Sequence, residues 1–110
     1  MKIPLSKTTA YDLKDFVAKF FVEKKDGRGF NALVVECETS HYKTRITGAT
    51  RMYFVIEGLG EFTINDEHMS AEPNDFFIIE DGDTYEYKGK MRLFEFNVPA
   101  TGIENEEKVD

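Results

Sequence analysis

The sequence predicts an all-β barrel or sandwich, and three observations carry that expectation. Downstream of about residue 30, short runs rich in β-branched and aromatic residues recur at regular spacing up to Pro99, with turn residues between them. Hydrophobic residues make up 41% and aromatics 14%, with ten Phe and five Tyr but no Trp, a globular composition and not a disordered one. At 110 residues the chain forms one domain. A domain of that size buries roughly 65% of the surface its unfolded chain exposes, enough for one core.

The elements follow in order. Leu13, Phe16, Val17, Phe20 and Phe21 fall at helical spacing behind a capping Asp12, which predicts a short helix near 12–19. The run FFVEKKDGRGFNALVVECE reads as two strands about a turn drawn from Lys24 to Gly29. MYFVIEG ends at Gly58, EFTIND follows Leu59-Gly60, and Asn65-Asp66-Glu67 looks like a hairpin tip. HMSAE leads to a turn at Pro73-Asn74-Asp75. The unbroken apolar FFII suits a strand buried on both faces. Glu80-Asp81-Gly82-Asp83 breaks it, and TYEYKG and MRLFEFNV complete the set about Gly89. Residues 104–110, ENEEKVD, read as a frayed acidic tail behind a single domain over 1–103.

Composition also excludes functions. A net charge of −7 repels phosphate backbones, so no nucleic-acid partner is expected. Cys37 is the single cysteine, which forbids an intramolecular disulfide and a zinc–cysteine cluster. With only His41 and His68, one chain cannot build a three-histidine metal site. No run approaches the roughly 18 apolar residues of a membrane span, and MKIPLSKTTAYDLKD has no apolar signal core. A cytoplasmic protein without a membrane partner is the expectation.

Two spacings then carry a resemblance. YFVIEGLGEFTIND resembles a tyrosine-valine-leucine-glutamate-glycine segment, and Pro73 and Asp75 match a proline-glycine-aspartate turn. Over residues 30–99 the chain resembles the cupins, small double-stranded β-helix (jelly-roll) barrels. Laid on that family's second motif, the first Gly slot falls on Asn74, the Pro slot on Glu80 and the second Gly on Gly82. The His slot is then Tyr85 and the Asn slot Gly89. In the first motif Gly58 is the glycine and Arg51 takes the Glu slot. The two His slots fall on Thr44 and Ile46 or on Arg45 and Thr47, according to the spacer. The resemblance implies three imidazoles and one carboxylate around a divalent metal, and here every one of those positions is substituted. No metal and no cofactor is therefore expected. The resemblance also implies a homodimer paired by sheet edges.

Strand period two carries the phase of those slots. With Arg51 inward, Tyr53 and Val55 face inward as well; with Tyr85 inward, so does Tyr87. On the last strand either Arg92, Phe94 and Phe96 or Leu93, Glu95 and Asn97 point in, and apolarity favours the Phe phase. The expected site is an aromatic cavity with Arg51, Tyr53, Tyr85, Tyr87, Arg45, Phe94 and rim residue His41 as ligand-binding residues. Lys43, Arg45 and Arg51 would make its mouth locally basic. A guanidinium there suits a small anionic or sugar-like ligand. Three other readings stay open. Arg51 could be paired with Glu36, Glu38 or Glu95 in a filled core. The barrel could also be a metal-independent isomerase or epimerase with Tyr85 and His41 as proton-transfer candidates, or a structural dimerisation unit.

Overall fold

A computed structural model describes Met1–Asp110, and every regular element longer than a single 3-10 turn is a strand. In chain order they are β1 (Thr9–Asp12), β2 (Phe16–Val22), β3 (Asn31–Cys37), β4 (Ser40–Ile46) and β5 (Thr50–Ile64). After these come β6 (Glu67–Ala71), β7 (Phe76–Ile79), β8 (Thr84–Val98) and β9 (Glu106–Lys108). All pairings are antiparallel.

Two 15-residue strands, β5 and β8, organise the molecule by pairing along nearly their whole length. Their Thr50–Val55 and Leu93–Val98 portions join β7 on one side and β3, β2 and β1 on the other. Their other ends join β6, β4 and β9. The sheet thus curls into two layers with the core between them. The bend is made by glycines. Gly58 and Gly89 sit at φ +94° and +118°, and a Cβ on either would run into the facing backbone of Lys90 or Leu59. Only glycine tolerates both conditions at once. At the far end of β5, Asn65 and Asp66 hold positive φ in the two-residue turn to β6, the hairpin tip the sequence predicts.

The expected helix over 12–19 does not form. Phe16, Ala18 and Val22 enter the core from β2, which pairs with β3 through an irregular register between Phe20 and Val22. The apolar spacing there serves a strand with a bulge as well as a helix, and sheet pairing decides it. FFII is also not buried on both faces. Phe77 and Ile79 point into the core, whereas Phe76 and Ile78 stand in solvent. Nor do residues 104–110 all fray: Glu106–Lys108 form β9 on the edge of β4. No helix of the structure is long and apolar enough to cross a membrane.

Candidate functional site

Between the inner face of the sheet and the N-terminal β1–β2 arm lies a cavity of about 550 Å³. Its walls are apolar, with Phe16, Phe20, Leu33 and Val35 at the sides and Tyr11, Leu13 and Ile103 at the rim. Its floor is polar and comes from His41, Arg51, Glu95, Asn97, Thr101 and Glu106. An apolar wall with a few convergent polar groups in this size range is the usual form of a small-molecule site.

Arg51 is nearly wholly buried and holds the floor together. Its Nε donates to Asn97 Oδ1 at 2.7 Å and lies 3.3 Å from Glu95 Oε2. Nη1 donates to Tyr85 Oη at 2.7 Å and to Glu106 Oε1 at 2.9 Å, and Nη2 to Thr101 Oγ1 at 3.1 Å. Burial alone would lower its pKa, but the Glu95 carboxylate foremost holds it well above the ordinary arginine value. A buried guanidinium survives because nearly every N–H has an acceptor and its charge has a carboxylate partner. The network extends through Asn97 Nδ2 to Glu95 Oε2 and Asn31 Oδ1, and Asn31 Oδ1 also accepts from Thr101 N and Oγ1.

Backbone register supplies this cluster. Arg51 faces Asn97 and Tyr53 faces Glu95 across β5 and β8, so all four share one face.

His41 reaches the same floor by a different device. It pairs with Tyr87, and Thr44 pairs with Tyr85, so β4 spends one more residue than β8 between the two pairs. This bulge brings His41 into the phase of Thr44 and Ile46. The Tyr42 carbonyl is turned inward there and accepts from Thr44 Oγ1 at 3.2 Å and from His41 Nδ1 at 2.7 Å. A carbonyl can only accept, so Nδ1 carries the proton and Nε2 is left with its lone pair. The ring packs against Phe16, Tyr85 and Tyr87 at centroid distances of 4.7, 5.3 and 5.0 Å. Burial in this aromatic box pushes its pKa down to about 4, so the imidazole is neutral at pH 7.

The three predicted tyrosines stand behind the floor rather than in the cavity wall. Tyr53, Tyr85 and Tyr87 are buried with Phe62 and Phe77 in a stacked aromatic core that fills the barrel centre. Tyr53 donates to Tyr85 Oη at 3.2 Å. With Arg51 also donating to it, Tyr85 Oη uses both lone pairs as acceptor and keeps its own proton to give away. Burial pushes the Tyr85 phenol up to about 12, so it is neutral at pH 7.

Two predicted site residues are not at the site. Phe94 lies on the outer face, because Leu93, Glu95 and Asn97 take the inner phase of β8. The inner phase must supply partners for Arg51, and Phe cannot. Arg45 likewise points outward, since Thr44 and Ile46 take the inner positions, and it approaches Glu107 at 4.0 Å. The mouth is not basic either: Lys43 pairs with Asp66, and Arg51 is answered by Glu95 and Glu106. The sequence points to Glu95 only as a possible partner of Arg51 and to Asn97 only in the disfavoured phase of the last strand, and it gives no sign of Thr101 or Glu106. The visible signal was two polar residues alternating with Leu93 on one strand phase.

The cupin metal slots hold Thr44, Ile46, Arg51 and Tyr85, and this donor set does not fit a metal. A permanent cation occupies one position, and no three His, Cys, Asp or Glu side chains converge anywhere in the chain. Cys37 is buried, with its thiol pushed up to about 11 chiefly by burial, which leaves it inert. His68 stays at the surface against Thr63 and Glu61.

No protein-family model matches this chain, and no curated protein does. Solved structures do. A nucleoside dehydratase, Pac13, superposes with a TM-score of 0.87 at 19% identity, over 99% of this chain and 90% of that one. Streptomyces Pac13 variants with a single histidine-to-glutamine or tyrosine-to-phenylalanine change, solved with uridine, match with TM-scores of 0.87 to 0.88 at 18% identity. Ectoine synthase from P. lautus matches with a TM-score of 0.80 at 17% identity, over 100% of this chain and 90% of that one. KdgF from Halomonas sp. gives 0.77 at 11% identity, over 90% and 93%. The Cnp3 cupin domain of Schizosaccharomyces pombe matches with a TM-score of 0.75. With its two-layered barrel built on β5 and β8, the chain has the cupin fold its sequence resembles.

Proposed function

We propose that the cavity binds a small polyhydroxylated metabolite of the sugar or nucleoside class and that His41 moves a proton on it without a metal. The observation that carries this reading is the neutral His41 on the cavity floor, its Nδ1–H tied to the Tyr42 carbonyl and its Nε2 free to accept. A neutral imidazole on the cavity floor with a free Nε2 can take a proton from a bound ligand as a general base. Proton abstraction next to a carbonyl is the step shared by isomerases, epimerases and dehydratases.

The ligand class follows from charge and shape. Arg51 is answered by Glu95 and Glu106, so the floor carries no spare positive charge for an anion. Its amides, hydroxyl and carboxylates suit hydroxyl groups, while Phe16, Phe20 and Tyr11 suit a planar or sugar face. The likeness to a nucleoside dehydratase and to its variants solved with uridine supports the same class.

A thermal-shift and calorimetric panel of nucleosides, neutral sugars, sugar acids and sugar phosphates tests binding. Neutral hydroxylated compounds should raise the melting temperature, and the anions should not. Proton NMR in D2O then tests chemistry: exchange of a carbon-bound proton of a bound ligand should be lost in His41→Gln while binding is retained. No response across the panel overturns the binding reading. Exchange that survives in His41→Gln overturns the role of the base.

A further inference from the structure

Side-chain hydrogens on the cavity floor are almost all spent within the protein. Arg51 gives four of its five N–H groups to Asn97, Tyr85, Glu106 and Thr101. Asn97 Nδ2 gives its hydrogens to Asn31 and Glu95, and the Thr101 hydroxyl donates to Asn31. The His41 Nδ1–H is tied to the Tyr42 carbonyl. What the floor has left is mainly lone pairs.

One of them is on Glu95. Its side chain is 8% exposed, and its Oε2 takes both protein donors, Asn97 Nδ2 at 2.9 Å and Arg51 Nε at 3.3 Å. Oε1 accepts from no protein group, yet it is not sealed. Glu95 lines the cavity, whereas the sealed polar atoms without a partner are Asn31 Nδ2 and Tyr87 Oη. Across the strands Glu95 faces Leu33 on β3, which has no donor, and Tyr53 on β5, which gives its hydrogen to Tyr85. A donor for Oε1 must therefore come from the cavity. A carboxylate oxygen so far out of bulk water is costly to leave without one.

On the reading that the cavity takes a polyhydroxylated metabolite, we propose that Glu95 is its specificity-determining residue. The free Oε1 accepts a hydrogen bond from one hydroxyl of the ligand and rejects a ligand that has only an acceptor at that place. A hydrogen bond to a charged acceptor discriminates by roughly 10- to 100-fold against an analogue lacking the donor. The two protein donors also fix what a glutamine would do there. Arg51 Nε and Asn97 Nδ2 both need an acceptor, so in Glu95→Gln the amide oxygen takes the place of Oε2 and the NH2 group faces the cavity. The cavity-facing atom then changes from acceptor to donor with the shape unchanged.

Calorimetry with uridine and its three monofluoro analogues, each with fluorine in place of one sugar hydroxyl, tests this. Fluorine is close to a hydroxyl in size but has no hydrogen to donate. At least one analogue should bind the wild-type chain roughly 10- to 100-fold more weakly than uridine, and for one of these the gap should close to within about threefold in Glu95→Gln. Circular dichroism checks that the variant is folded; if it is not, the wild-type series decides. Wild-type binding of all three analogues within about threefold of uridine overturns the proposal. So does a gap that persists in folded Glu95→Gln. Either result leaves the cavity standing as a site for hydroxylated ligands, because uridine has bound. A wild-type chain that does not bind uridine overturns the proposal as well, and the reading beneath it falls only if every nucleoside and sugar of the panel is also silent.

Discussion

His41 and Thr44 both face the barrel interior although an odd spacing separates them, because β4 carries a bulge between the two. In a regular strand they would lie on opposite faces. The bulge therefore puts the imidazole on the cavity floor and turns the Tyr42 carbonyl to meet it.

Deleting Lys43 leaves His41 two residues before Thr44, the spacing at which a regular strand puts both on one face. The straightened strand should keep its pairing with β8, and His41 should stay inside with its pKa, followed by NMR, still near 4. A value near the ordinary 6.5 in the deletion variant would show that the bulge itself is needed to hold the ring inside.

Burial of neutral His41 makes stability depend on pH. The unfolded chain binds a proton at about 6.5 and the folded chain only at about 4, so between those values the unfolded state holds more protons. Stability then rises with pH across that window and is lost on acidification through it. The full loss on going from pH 7 to below 4 is about 3 kcal/mol. Urea unfolding from pH 4 to 7 should show a shallower slope in His41→Phe, which packs in the same box without titrating. Parallel wild-type and variant slopes contradict this.

Arg51→Met leaves Glu95 buried without its cation and should cost about 3–5 kcal/mol in urea unfolding. Adding Glu95→Leu removes the stranded charge. The double variant should then be more stable than the sum of the two single losses predicts, by at least about 1 kcal/mol. Additive losses would mean that the pair is not coupled.

Gly58→Ala places a methyl group against the Lys90 carbonyl at a φ of +94°. The bend of β5 should be destabilised by about 1–3 kcal/mol, read as a lower urea midpoint with an unchanged slope. Gly27→Ala, in an open turn at φ +69°, should cost less.

Much of the fold is legible in the sequence, and less of the site. The strands from Asn31 to Val98 follow from β-branched and aromatic runs between Asn, Asp and Gly turns, because turn chemistry and strand propensity are local properties. Motif spacing alone marks Arg51 and Tyr85 as interior positions, and both are buried. The N-terminal segment misleads, since Leu13, Phe16 and Phe20 satisfy a helix and a bulged strand alike, and only pairing with β3 separates them.

The sequence by itself determined an all-β chain of cupin spacing, with a guanidinium where a carboxylate ligand would stand. Only the tertiary structure decided which phase of β8 looks inward. Counting apolar residues puts Phe94 and Phe96 inside, yet Glu95 and Asn97 are there, because a buried cation needs partners more than it needs aromatic neighbours. Only the tertiary structure, too, brought His41, Thr101 and Glu106 to Arg51, since a bulge and a distant C-terminal strand leave no periodic mark in the sequence.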